Sequence, residues 1–248
     1  MDYLYGTSFQ IRQEKEMYHF SSDSELLGRF LVPKKEDSVL DVGVNSGVLL
    51  LYASLAQPKC LTGIDLFEEV IELARENLDA CHVSASLHAC PLQEFKGGPF
   101  TLVVCNPPFF TSTREDLKSR NPYRRAARFT DTLKPAELFF HARRLLTDDG
   151  RLDVIYPYPM MEEIFREAEN SGFHLIRLQM AYDTRGGTPK RALMEFSCTE
   201  RDSLAVLPAA YLDKLHSEQK PADARLDPDE KNASGDIVGR MRSSGEIA

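Results

Sequence analysis

From Ser38 onward the chain alternates short apolar strand-like runs with helical ones, and no other feature restricts its possible folds as strongly. Ser38-Val39-Leu40-Asp41-Val42 reads as a buried strand, Gly43 to Gly47 as a tight turn, and Val48 to Ala56 as an apolar helix. A strand Cys60 to Ile64 follows, then a helix Glu68 to Ala80 with Val70, Ile71, Leu73, Ala74 and Leu78 on its apolar side, and a short strand Val83 to Leu87. The series continues through strand Phe100 to Cys105, helix Ala136 to Leu146, the Asp149-Gly150 turn, strand Arg151 to Tyr156 and helix Met160 to Asn170. Strands separated by helices pair in parallel and are covered on both sides. The expected fold is therefore α/β: a doubly wound, mostly parallel seven-stranded sheet with helices on both faces. The runs Phe173 to Tyr182 and Arg191 to Cys198 flank Gly186-Gly187-Thr188-Pro189, so the sheet should end in a long hairpin with an antiparallel final strand.

Before this series, Ser22-Asp23-Ser24-Glu25 followed by Leu26, Leu27, Phe30 and Leu31 predicts a capping-box start and a lead-in helix covering the first strand. Beyond Pro208 the composition turns polar. The expected organisation is a lead-in over 1–35, a core domain over 36–207 and a flexible tail over 208–248, with a helix around Tyr211 to Leu215 as a minor alternative. A chain of 248 residues can bury a core large enough to be stable without staples. The five cysteines, Cys60, Cys81, Cys90, Cys105 and Cys198, show no metal-ligand spacing, and several sit in apolar runs, which predicts reduced structural thiols and a cytosolic setting. The six histidines likewise form no ligand pair, so no metal is expected; His19 alone stands close to a segment of interest. No apolar stretch approaches bilayer length, which predicts no membrane association.

Asn106-Pro107-Pro108-Phe109 directly follows the strand Phe100 to Cys105. A stiff Pro-Pro turn is the bland reading. The chemical reading is amine methylation. An exocyclic amine conjugated with its ring attacks an electrophilic methyl group poorly unless hydrogen-bond acceptors hold it in line. The Asn106 side-chain oxygen and the Pro107 carbonyl can accept the two amine hydrogens, Pro108 stiffens the turn, and Phe109 offers a face on which a planar base can stack.

The net charge of −8 excludes a protein that coats nucleic acid by global charge, but it does not exclude a local patch. Between Thr111 and Thr130, Arg114, Lys118, Arg120, Arg124, Arg125 and Arg128 stand against Glu115 and Asp116. Such a loop can be plain solvated surface, yet its place just after Phe109 points to phosphate contacts. At the other end of the crevice, Asp41-Val42-Gly43-Val44-Asn45-Ser46-Gly47 occupies the position where doubly wound sheets bind ligands. Asp65, closing the second strand, is placed to accept both hydroxyls of a ribose.

With these pieces the chain resembles the class I, Rossmann-like, S-adenosylmethionine-dependent methyltransferases. More narrowly, it resembles the bacterial valine-tRNA adenine N6-methyltransferase family. The likeness rests on Phe9-Gln10-Ile11-Arg12-Gln13, Tyr18-His19-Phe20-Ser21-Ser22-Asp23, the glycine turn, Gly63-Ile64-Asp65-Leu66, Asn106-Pro107-Pro108-Phe109-Phe110, Arg124-Arg125-Ala126-Ala127-Arg128 and the late hairpin. It spans roughly residues 5 to 200. The resemblance implies that Asp41, Gly43, Asn45, Gly47, Asp65, Leu66, Leu92 and Asn106 surround S-adenosylmethionine. It also implies that Asn106 and Pro107 hold the adenine amine, that Phe109 stacks on the base, and that the arginine loop holds RNA. Two positions depart from the family pattern: Asn45 replaces the turn's middle glycine, and Cys90-Pro91 precedes Leu92 where an Asp commonly stands.

The expected activity is methyl transfer to the N6 amine of an adenine in structured RNA, above all tRNA. Three alternatives stay open at this level. A protein glutamine amide presents a similar planar NH2, a DNA or rRNA amine fits the same pocket, and a non-catalytic module could keep the nucleotide crevice alone.

Overall fold

The computed structural model describes residues 2–14, 21–109 and 133–212. The strand-helix alternation closes as the periodicity predicts. The order is β1 (Asp2–Tyr3), β2 (Gln10–Ile11), α1 (Ser22–Phe30), β3 (Ser38–Val42), α2 (Val48–Ser54), β4 (Cys60–Asp65), α3 (Glu68–Ala80), β5 (Ser86–Ala89) and β6 (Phe100–Cys105). After the undescribed stretch come α4 (Pro135–Leu145), β7 (Leu146–Pro157), a 3-10 turn (Tyr158–Met160), α5 (Met161–Asn170), β8 (His174–Tyr182), β9 (Pro189–Ser197), β10 (Ala205–Val206) and β11 (Ala210–Tyr211).

The main sheet runs β5-β4-β3-β6-β7-β9-β8, seven strands as expected, and two two-residue strands extend it: β10 and β11 both pair in parallel with β8. The pairings among β3, β4, β5, β6 and β7 are parallel, and β9 is antiparallel to both β7 and β8. The expected boundary near residue 208 thus falls between two strands that still belong to the sheet, and the rest of the expected tail, from 213 on, lies outside the described residues.

Alternate residues of each strand feed opposite cores. Val39, Leu102 and Val104 join the core that also holds the apolar sides of α1, α2 and α3, while Leu40, Val103 and Cys105 pack with α4 and α5 on the other face.

Four expectations need correction. The third strand lies at Ser86–Ala89, not Val83 to Leu87, because the end of α3 folds back first: His82 adopts φ 57° and the Val83 amide donates to the Leu78 carbonyl at 2.9 Å. The strand expected from Arg151 begins at Leu146, since Leu146 pairs with Phe100 before the register jumps to Leu102 and Arg151. No capping box forms at α1. Its cap is Ser21, and Glu25 is buried with Oε1 accepting the Tyr5 amide at 3.1 Å, so the acid serves the N-terminal hairpin. Nor is the first core strand the main partner of α1. The helix packs chiefly on α2, with β7 and β9 next, and Gly28 makes this possible, because a Cβ there would stand 2.1 Å from the Tyr52 ring.

The connection from α1 to β3 is pinned by a buried ionic cluster. Arg151 Nη2 donates to Asp37 Oδ2 at 2.7 Å and its Nη1 to Glu195 Oε1 at 3.0 Å. Arg177 also pairs with Glu195 and donates through Nη1 to the Phe30 carbonyl at 2.7 Å. Asp153, fully buried beside them, has Oδ2 3.9 Å from Arg177 Nη2.

Candidate active site

Chain order along the sheet reverses at β3: the chain steps outward through β4 and β5, then returns to lay β6 on the other side of β3. Ligand crevices in open parallel sheets form outside the carboxyl ends of strands at such a reversal. Register makes it concrete. Val42 is opposite both Ile64 and Cys105, so Gly43, Asp65 and Asn106, the next residue along each chain, emerge side by side. A cavity of about 720 Å³, including its open mouth, lies there.

Of the residues expected around the cofactor, Gly43, Asn45, Asp65, Leu66, Leu92 and Asn106 line this cavity, as do Pro107 and Pro108. Leu92 is buried in the wall, whereas Leu66 is exposed at the rim. Asp41 and Gly47 stand behind it. Asp41 has no exposure, and neither carboxylate oxygen has a hydrogen-bond partner among the described residues; burial, with the Asp65 charge second, pushes its carboxyl well above the usual range. Gly47 takes φ +87° against α3, where a Cβ would meet Leu78 at 3.4 Å.

Asp65 is held by backbone. Its Oδ2 accepts the Asn45 amide at 3.0 Å and its Oδ1 accepts the Leu66 amide at 2.7 Å. Burial raises its carboxyl, and the amides of Asn45, Leu66 and Phe67 oppose that rise by favouring the ionised form. Asn45 itself adopts φ 47°, the left-handed region that Asn tolerates better than most side chains. The other departure also lies on the cavity. Cys90 and Pro91 form part of its wall, with the Cys90 amide donating to the Asp65 carbonyl at 2.8 Å, and burial and the nearby Glu94 push the Cys90 thiol upward.

Across the cavity, Pro107 is buried and Asn106 is half-buried. Asn106 Nδ2 donates to Ser24 Oγ of α1 at 3.0 Å. Next door on the same helical turn, both oxygens of Asp23 accept Arg191 Nε at 3.0 Å, and the Arg191 guanidinium lies over the Phe109 ring, 5.0 Å from its centroid. Phe109 does not line the cavity but follows directly on the Pro107-Pro108 wall. Reasoning from sequence did not single out Ser24 or Arg191, and it took Asp23 only as part of a motif. The one signal was a polar Asp-Ser pair opening an otherwise apolar helix, which reads equally well as a solvated helix start.

The residues Arg114, Lys118, Arg120, Arg124, Arg125 and Arg128 lie outside the described residues, as does His19. All five cysteines are free thiols: Cys105 is buried, Cys81, Cys90 and Cys198 are half-buried against the core, and Cys60 is exposed. Among the described residues no cluster of His, Cys, Asp and Glu could hold a metal, and no helix is long and apolar enough to cross a membrane.

The cavity has the room and the groups to take a nucleoside. A Cβ at Gly43, which takes φ +78°, would project into space holding no atom within 4 Å, so the turn leaves room for a ligand to approach the backbone. Asp65 supplies a carboxylate for hydroxyl donors, and Ile64, Val70 and Leu92 supply apolar walls for a flat base.

Comparison with known proteins agrees with this geometry. A family model described as "Methyltransferase small domain" matches residues 18–171. The chain is 30% identical over 196 residues to a tRNA1(Val) (adenine(37)-N6)-methyltransferase of Flavobacterium psychrophilum, covering 76% of this chain and 82% of that protein. It is also 30% identical over 181 residues to a protein of the same name from Edwardsiella ictaluri, covering 71% and 72%. Among solved structures, a methyltransferase from Pyrococcus furiosus superposes with a TM-score of 0.57 at 14% identity, over 79% of this chain and 92% of that one. A ribosomal protein L11 methylase from Lactobacillus delbrueckii gives 0.52 at 19% identity, over 70% and 76%. These two establish the class I methyltransferase fold, and with the family match and the sequence relatives they lead to one assignment: the chain belongs to the methyltransferase small domain family.

Proposed function

We propose that this methyltransferase transfers a methyl group to the exocyclic N6 amine of an adenine in tRNA, the substrate class that the names of its relatives give as adenine 37 of tRNA1(Val). S-adenosylmethionine is the methyl donor of the family, and when bound it supplies an electrophilic methyl on a sulfonium. The observation that carries the reading is the facing pair of polar sites in one cavity: Asp65 on the β4 side, and the Asn106 amide with the buried Pro107 on the β6 side.

The Asp65 carboxylate would accept the ribose hydroxyls, Gly43 and Asn45 would let backbone pass close to the amino-acid arm, and Leu66 and Leu92 would bracket the cofactor's base. Asn106 Oδ1 and the Pro107 carbonyl accept the two hydrogens of the target amine. Both contacts strengthen as the nitrogen gains positive charge, so they lower the barrier more than they tighten ground-state binding. The bound cofactor would supply the methyl group and leave as a neutral thioether, while Asn106 and Pro107 would keep the amine nitrogen in line with it. The methylated amine is then acidic and gives its extra proton to solvent, with no general base required. Phe109 stacks on the base once it is drawn out of its own stack. The basic run from Arg114 to Arg128 supplies the phosphate contacts that an acidic chain otherwise lacks. Such a substrate implies a cytoplasmic setting.

Incubation with labelled S-adenosylmethionine and separate pools of tRNA, rRNA, DNA and protein from cells lacking the gene tests this reading. Label in the tRNA pool, mapped by mass spectrometry to N6-methyladenine, supports it. Label confined to protein or to another nucleic acid overturns it.

A further inference from the structure

The Asn106–Phe109 segment is held at both ends from a single helical turn outside the β3–β6 unit. Ser24 Oγ accepts from Asn106 Nδ2 at 3.0 Å, and its neighbour Asp23 reaches Phe109 through Arg191. The clamp is itself constrained. Ser24 and Asp23 are buried, and burial outweighs the Arg191 charge to push the Asp23 carboxyl upward. The helix that carries them is anchored elsewhere, by Gly28 against the Tyr52 ring and by the Phe30 carbonyl accepting from Arg177.

An Asn side chain has two chemically opposite ends of nearly the same shape. Only the oxygen can accept a hydrogen from a target amine; the NH2 end would face it donor to donor. The backbone does not choose between the two, since a half-turn of the amide exchanges them. A polar partner beside the amide holds it in place, and Ser24 Oγ, which accepts from Nδ2, is that partner.

We propose that the first turn of α1 is a positioning clamp for the methyl-accepting site: Ser24 holds the Asn106 amide in place beside the cavity, and Asp23, through Arg191, holds the Phe109 ring. This rests on the reading of Asn106 as the amine acceptor. Ser24 acts through Asn106 and touches neither cofactor nor base.

The test is single-turnover methylation of tRNA by the full-length protein at saturating cofactor, with cofactor affinity measured by calorimetry. Ser24→Ala is expected to slow the step about 10-fold to 100-fold, the cost of a misplaced reacting contact, with the cofactor Kd unchanged within about twofold. Ser24→Thr keeps a hydroxyl and is expected to stay within about threefold of the unmodified rate. In an Asn106→Ala background, Ser24→Ala is expected to cost less than about twofold, because no amide is left to orient. An unchanged rate in Ser24→Ala, or an equal loss with and without Asn106, overturns the assignment of Ser24. For the second arm, Arg191→Gln is expected to raise the tRNA KM about 10-fold at unchanged cofactor Kd, the scale of impaired ring-cation and base-stacking contacts. An unchanged tRNA KM removes the Phe109 half of the clamp. Full activity in Asn106→Ala alone rejects the reading of the site itself, an outcome separate from either failure of the clamp.

Discussion

The Asn45 backbone amide donates to Asp65 Oδ2 at 3.0 Å, tying the turn after β3 to the acid at the end of β4. The bond is kept although a residue other than glycine stands at the centre of the turn. The interaction uses the Asn45 backbone at φ 47°, not its side chain, and Asn reaches that conformation at modest cost.

Asn45→Gly should accordingly leave the cofactor Kd within about threefold, whereas Asn45→Val should lower stability by about 1–2 kcal/mol, because a β-branched side chain resists positive φ. Urea unfolding and calorimetry check both. Equal behaviour of the two variants would detach the turn's geometry from its backbone angle.

Asp65→Ala should raise the cofactor Kd by about 10-fold to 100-fold, the scale of losing hydrogen bonds to a charged group. The pH dependence follows from the raised carboxyl. If cofactor hydroxyls donate to this carboxylate they favour its ionised form, so affinity should rise as pH climbs through a value above the ordinary carboxylate range and then level off. In Asp65→Asn this rise should vanish. Calorimetry in a pH series running from the ordinary carboxylate range to neutrality makes the comparison.

Asn106→Ala should lower turnover by about 10²–10³, the scale of removing one preorganised hydrogen-bond partner, while the cofactor Kd stays within about threefold. Comparable losses in both would mean that Asn106 serves the cofactor more than the amine.

Arg124→Ala with Arg125→Ala should weaken tRNA binding and reduce the slope of log affinity against log salt by about one unit for each phosphate that is no longer held. Filter binding across a salt series measures it, and an unchanged slope would take these two arginines out of the interface.

The buried cluster behind α1 makes a prediction about stability. Arg151→Met leaves Asp37 and Glu195 buried without that partner and should cost about 3–5 kcal/mol. Asp153→Asn should behave differently. Burial, then the Glu195 charge, holds the Asp153 carboxyl well above its usual range, so the folded state keeps a proton that the unfolded chain gives up. The native protein should therefore lose stability as pH rises from the ordinary carboxylate range through that raised value, and Asp153→Asn should remove this part of the loss. Unfolding midpoints in a pH series that begins in the ordinary carboxylate range and climbs to mildly alkaline values would refute it by shifting in parallel for the two proteins.

The α/β alternation was legible because each strand and helix carries its own period. Glu68–Ala80 and Phe100–Cys105 appear in the structure with the bounds their patterns imply. Where tertiary contacts decide, local pattern fails. Val83 looks strand-like but is drawn into the end of α3, and Glu25 looks like a cap but accepts the Tyr5 amide instead. The same holds for the site. Asn106, Asp65 and Gly43 could be named from their places at strand ends, since register then brings those ends together.

Sequence by itself thus determined the order of elements, the sheet that this order forces, and the residue types at the carboxyl ends of β3, β4 and β6. Only the tertiary structure decided that Asp41 stands behind the cavity, and that Ser24 and Arg191 meet Asn106 and Phe109 across long stretches of chain. The reason is physical. Periodicity records which face of an element is apolar, whereas a hydrogen bond between a helix and a distant strand depends on how the two pack, and packing is settled by the whole core at once.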